Sequence, residues 1–124
     1  IYYVGPAPTP PGKAIGSAGP TTSYRMDPYA PILIENGLKG MIGKGERSEP
    51  VVEAMKKHSA VYFAATGGAA ALIAGSITSS EVVAYEDLGA EAIRKMEISD
   101  FPVIVAQDCH GGNVYVEGQK KYAE

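Results

Sequence analysis

The chain opens on an apolar run, Ile1-Tyr2-Tyr3-Val4, which predicts a buried strand. From Gly5 to Pro20 the pattern dissolves into prolines and glycines and predicts irregular backbone. Thr21-Thr22-Ser23-Tyr24-Arg25-Met26-Asp27 carries three hydroxyls and then charge, which suits a polar loop or a helix start. Pro31 to Leu38 predicts a short helix ended by Gly37 or Gly40. Met41-Ile42 predicts a short strand leading into Gly43-Lys44-Gly45. Ser48 is placed as the N-cap of a helix over Glu49–Lys57, with Pro50 in its first turn and Val51, Val52, Met55 and His58 on its inner side.

The second half repeats the alternation. Val61–Ala65 predicts a strand, Gly67-Gly68 a turn, and the small residues through Ile73 a helix. Glu81–Tyr85 predicts a strand, Gly89–Met96 a helix, and Pro102–Gln107 a central strand. His110-Gly111-Gly112-Asn113 reads as a turn returning into a strand at Val114-Tyr115-Val116, followed by a polar tail from Lys120 to Glu124. Strands alternating with helices imply an α/β domain with a partly parallel sheet and a closing hairpin. One domain over 1–124 suffices, with no internal repeat.

Composition narrows the function more than the fold. Hydrophobic residues are 45% and charged residues 20%, ordinary for a globular protein, whereas 15 glycines and 9 prolines point to tight turns or close backbone approach. A net charge of −3 argues against a general affinity for nucleic acid or membrane surfaces. Ser59–Ser80 lacks charge and is long enough to span a bilayer, but Thr66-Gly67-Gly68 interrupts it, and strand, turn and buried helix fit better. The single Cys109 excludes an internal disulfide framework and suits a reducing, cytoplasmic compartment.

Familiar motifs fail on spacing. Gly43-Lys44 is followed by Gly45 and preceded by Leu38 where a phosphate-binding loop needs its first glycine. Thr66-Gly67-Gly68 lacks the dinucleotide-binding spacing, and one cysteine with two distant histidines offers no metal-ligand spacing. Asp108-Cys109-His110 looks like a nucleophile cluster only in one dimension, and a strand end with a turn is the simpler reading. Thr21, Thr22, Arg25 and Lys44 remain. An arginine grips a carboxylate bidentately, a lysine adds a compact charge, and glycine-rich backbone before a helix start admits an anion. Such groups suit a small dicarboxylate, but spacing alone equally allows two solvated cations in separate loops.

The ordered series decides more. Gly19-Pro20-Thr21-Thr22-Ser23-Tyr24-Arg25-Met26-Asp27 and Met41-Ile42-Gly43-Lys44-Gly45 come first. Val61-Tyr62-Phe63-Ala64 with Gly67–Leu72, Tyr85–Ala92, Phe101-Pro102 and the Asp108–Tyr115 turn follow in order. Together they resemble the β region of class I fumarases and L-tartrate dehydratases over nearly the whole chain. The resemblance implies a swivelling β/β/α domain, a mixed sheet flanked by helices, that closes over a cluster-bearing α subunit or domain. It also implies a [4Fe–4S] cluster held by α cysteines and none bound by this chain, whose one cysteine could not hold it. A β–β or higher oligomer is expected as well.

Carried over by motif, Arg25 would bind the substrate carboxylate distal to iron, and Lys44 would stabilise charge developing in the hydration of fumarate to malate. Thr21 matches the threonine proposed in that family as the proton-abstracting base, and Thr22 would position substrate or backbone. A threonine hydroxyl is a weak base unless its alkoxide is stabilised, so a structural role for Thr21 stays open. The resemblance further implies an upstream β segment with another substrate-binding arginine, which would precede Ile1. A tartrate or related dicarboxylate substrate, and a non-catalytic anion-binding or assembly module, are the alternative readings.

Overall fold

A computed structural model describes residues 1–123. The architecture is mixed α/β, with sheets flanked by helices, in two compact units. Of the described residues, the first unit comprises 1–3, 22–64 and 103–123, and the second 4–21 and 65–102.

In the first unit, a 3-10 turn over Ser23–Met26 runs into helix α1, Ala30–Glu35. Strand β1, Gly40–Gly43, and helix α2, Glu49–His58, follow, and then strand β2, Val61–Ala64. The chain re-enters this unit with strand β5, Ile104–Gln107, and helix α4, Val114–Tyr122. The sheet order is β1-β2-β5, with β1 parallel and β5 antiparallel to β2, so it is mixed as the pattern implied. Ala30 and Ile34 of α1, Met41 of β1, Val51 and Met55 of α2, and Tyr62 of β2 form one buried cluster with Ala60 and Ala106. The inward residues of α2 recur at i and i+4, which is why the helix seats on the sheet by one stripe. Val52 and His58 are half-buried beside it.

The second unit holds the irregular opening, helix α3, Ala70–Ala74, and an antiparallel ribbon of strands β3, Ile77–Ala84, and β4, Ile93–Ile98. Its core is small: Ile15, Ala18 and Ile77, with Val4, Ala74, Met96 and Phe101 packed on them. No helix among the described residues is long and apolar enough to cross a membrane.

Four expected elements differ, and the first differs in place: Pro102–Gln107, expected as a central strand, is β5 at the edge of the sheet, beside β2. Residues 1–4 form two isolated bridges, Tyr2 with Ile42 and Val4 with Pro20, and no regular strand. Gly89–Met96 is not a helix. A 3-10 segment over Glu86–Glu91 contains Gly89 at φ +57°, and β4 follows because Ile93–Ile98 pairs with β3. The expected strand at Val114–Val116 is the first turn of α4. Asn113 accepts the Tyr115 N–H through its side chain at 3.0 Å, and Glu117 Oε1 accepts the Asn113 N–H at 2.9 Å. This reciprocal capping outweighs the strand preference of two valines. The closing hairpin is therefore β3–β4, earlier in the chain than expected. Of the polar tail, Glu124 lies outside the described residues.

Candidate active site

Lys44 directly follows β1, where the strand ends in glycines. Gly43 is buried because a neighbour fills its side-chain space: a Cβ there would lie 1.8 Å from Ser23 Oγ. Gly45 has φ +83°, a left-handed conformation that a residue with a Cβ adopts at a cost. A Cβ on it would meet Thr22 Cγ2 at 4.0 Å. The loop thus runs against the Thr22–Met26 turn. Thr22 and Lys44 form a parallel backbone bridge, and the Ser23 N–H donates to the Lys44 carbonyl at 3.0 Å. Thr22 is half-buried, while Arg25 and Lys44 are exposed. These three belong to the first unit. Thr21, half-buried, is the last residue of the second unit's first segment.

Beneath the two exposed cations lies a buried polar set that the residue pattern did not disclose. Arg47 is 3% exposed and Asp27 8%, and Arg47 Nε donates to Asp27 Oδ1 at 2.7 Å. The guanidinium lies 5.2 Å from the ring centroids of both Tyr3 and Tyr62, within cation–π range. Its Nη1 donates to Met41 Sδ at 3.2 Å, and the Arg47 backbone N–H donates to Gln107 Oε1 at 3.2 Å. Asp27 Oδ2 accepts the Ser48 N–H at 2.6 Å. A carboxylate of the chain itself therefore occupies this amide at the start of α2, which the sequence had suggested as part of a ligand's anion site. Ser48 stands at the N-cap position, but its side chain makes no capping bond.

Tyr62 joins the two segments from below. Its hydroxyl donates to the Gly45 carbonyl at 2.8 Å and lies 3.0 Å from Ser23 Oγ. Burial pushes its pKa up to about 12, so the phenol keeps its proton at ordinary pH. An open groove of about 650 Å³ borders this network, lined among others by Tyr24, Asp27, Glu46, Arg47 and Ser48. The only sequence sign of the ion pair was position: Asp27 stands two residues after Arg25, and Arg47 three after Lys44. Neither spacing encodes a contact across 20 residues.

The Asp108–Asn113 segment is a turn, as read. Asp108 Oδ1 accepts the N–H groups of His110 and Gly112 at 2.8 and 2.9 Å, and these bonds hold the carboxyl below its usual range. The carboxylate is engaged with backbone, which is structural work. Half-buried Cys109 is the chain's single cysteine. Among the described residues no group of three or more His, Cys, Asp or Glu could hold a metal ion.

Comparison with known proteins gives these features a family. The model of the family described as "Fumarase C-terminus" matches residues 1–118. "Fumarate hydratase class I, aerobic" of Escherichia coli K12 is 48% identical over 121 residues, covering 96% of this chain and 22% of that protein. "Fumarate hydratase 2" of Leishmania major is 44% identical over 117 residues, covering 93% of the chain and 21% of the relative. A Methanocaldococcus jannaschii protein, assigned by its name as an L(+)-tartrate dehydratase subunit beta, is 38% identical over 112 residues, covering 87% of the chain and 57% of the relative. The chain spans about a fifth of the length of the fumarate hydratases it matches.

Proposed function

The chain belongs to the fumarase C-terminus family, and from that premise we propose that it is the β component of an iron–sulfur hydro-lyase. Its reaction on this reading is the reversible hydration of fumarate to malate, carried out together with a cluster-bearing α component. The observation that carries the reading is the Thr22–Lys44 backbone bridge, which sets the segment bearing Arg25 beside the segment bearing Lys44. Two exposed cations on adjoining segments suit a doubly anionic substrate.

In this reading Arg25 grips one carboxylate and fixes the substrate's orientation. Lys44 adds positive charge that stabilises the aci-carboxylate developing during the reaction. Thr22 holds backbone and substrate in register, and Thr21 exchanges a proton with the substrate carbon. The chain's own donors do not fit an iron–sulfur cluster, which needs several thiolates where Cys109 offers one. The [4Fe–4S] cluster is accordingly assigned to the α component, and a β–β or higher oligomer is part of the same proposal. The named tartrate dehydratase relative favours tartrate as the second candidate substrate.

The test is anaerobic reconstitution with a cluster-bearing component and assay on malate, fumarate and tartrate. Lys44→Ala and Arg25→Ala should each lower kcat/KM by about 10²-fold, the scale of losing one charge stabiliser. Near-normal kinetics in both variants would refute their roles. No turnover of any of the three acids by a cluster-loaded complex would refute the hydro-lyase reading.

A further inference from the structure

We infer that the buried Asp27–Arg47 ion pair, with the Tyr62 hydroxyl, is a positioning device that holds the Lys44 loop in register with the Arg25 turn. The inference rests on the functional reading above and deepens it. A buried ion pair gives little net stability over apolar packing of the same volume, because both charges lose their water. What it supplies is direction, and in this unit the directions converge on two short segments.

One segment is the turn from Thr22 to Asp27, and the other is the loop from Gly43 to Arg47. At one end they are joined by the Thr22–Lys44 bridge and the bond from the Ser23 N–H to the Lys44 carbonyl. At the other end Asp27 Oδ1 receives Arg47 Nε at 2.7 Å, and Asp27 Oδ2 receives the next residue's N–H. Between them Tyr62 touches Ser23 on the turn and Gly45 on the loop through one oxygen. Asp27 is itself fixed to its turn, its N–H donating to the Tyr24 carbonyl at 3.0 Å. The cation, 3% exposed, lies 5.2 Å from the centroids of both the Tyr3 and Tyr62 rings, which limits the directions it can point. Arg25 and Lys44 each lie inside a segment pinned at both ends, and their own side chains remain exposed. The arrangement fixes where each long side chain starts and leaves its charged end for the ligand.

A double-variant cycle in the complex with the cluster-bearing component tests this. Asp27→Asn keeps an acceptor for the Ser48 N–H and removes the charge. Tyr62→Phe keeps the ring over Arg47 and removes the hydroxyl, so it decides the question even if Asp27→Asn does not fold. Each should lower kcat/KM by about 10-fold or more, the scale of a misplaced charge stabiliser. In a Lys44→Ala background the same changes should cost at least about 3-fold less than they do alone, since one of the two groups they position is gone. Losses that multiply in the double variants, or single variants with unchanged kcat/KM, would overturn the positioning role while leaving the functional reading intact. A Lys44→Ala variant with normal kinetics would overturn the role of Lys44 and the positioning role with it, whereas only a cluster-loaded complex without turnover would overturn the hydro-lyase reading.

Discussion

The two units fill their interiors differently. In the first, α1, α2 and the three-stranded sheet enclose a continuous apolar cluster. The same unit contains every buried polar or charged side chain identified among the described residues: Ser23, Asp27, Arg47 and Gln107. The second is built on Ile15, Ala18 and Ile77 and on a two-stranded ribbon, where Val83, Ile93 and Ile98 are each more than half exposed. Apolar packing has no preferred direction, so it fixes volume better than angle. Hydrogen-bonded charges fix angles. Arg25 and Lys44 belong to the unit whose interior can aim them.

The largest test of this contrast is Met55→Ala. Met55 is fully buried in the first unit's core, and its truncation should cost about 2–5 kcal/mol in thermal or denaturant unfolding of the chain. A loss below about 1 kcal/mol would mean that this core is loosely packed. A smaller effect concerns alkaline pH. Tyr62 titrates in the folded state at about 12, above its ordinary 10, so the folded state holds that proton more tightly. The stabilisation is complete below about pH 10 and is lost as pH rises towards 12. Burial shifts Tyr2 to about 12 as well, so Tyr62→Phe should flatten the fall in melting temperature over that window without abolishing it. An unchanged slope would contradict the burial of Tyr62. Smallest of all, Ile98→Thr on the ribbon should shift stability by less than about 1 kcal/mol, because over half of Ile98 is already exposed. A loss matching that of Met55→Ala would erase the distinction between the units.

Local chemistry made much of this fold readable. The α2 stripe of Val51 and Met55, the Pro50 start and the short β1 before Gly43 all follow from neighbours a few residues apart. Where a partner far along the chain decides, the local pattern does not carry the element. Ala90-Glu91-Ala92-Ile93 favours helix by propensity, yet Ile93 pairs with Ala84 and Ile98 with Ile77. The site divides the same way. Arg25 and Lys44 were singled out from chemistry and from family resemblance, whereas the Asp27–Arg47 pair and Tyr62 hydroxyl exist only once β1, β2 and the 3-10 turn have met.

Gly43 carries one consequence for how the chain finds this arrangement. It pairs with Ala64 in the parallel β1–β2 register, and Ser23 Oγ takes the space where its Cβ would be. If β1 slid one residue either way, Ile42 or Lys44 would bring a side chain into that space, and the inward and outward faces of the strand would exchange. The missing side chain thus works as a folding checkpoint: a misaligned β1 cannot close against the turn, and the loop carrying Lys44 is completed only on a correctly aligned sheet.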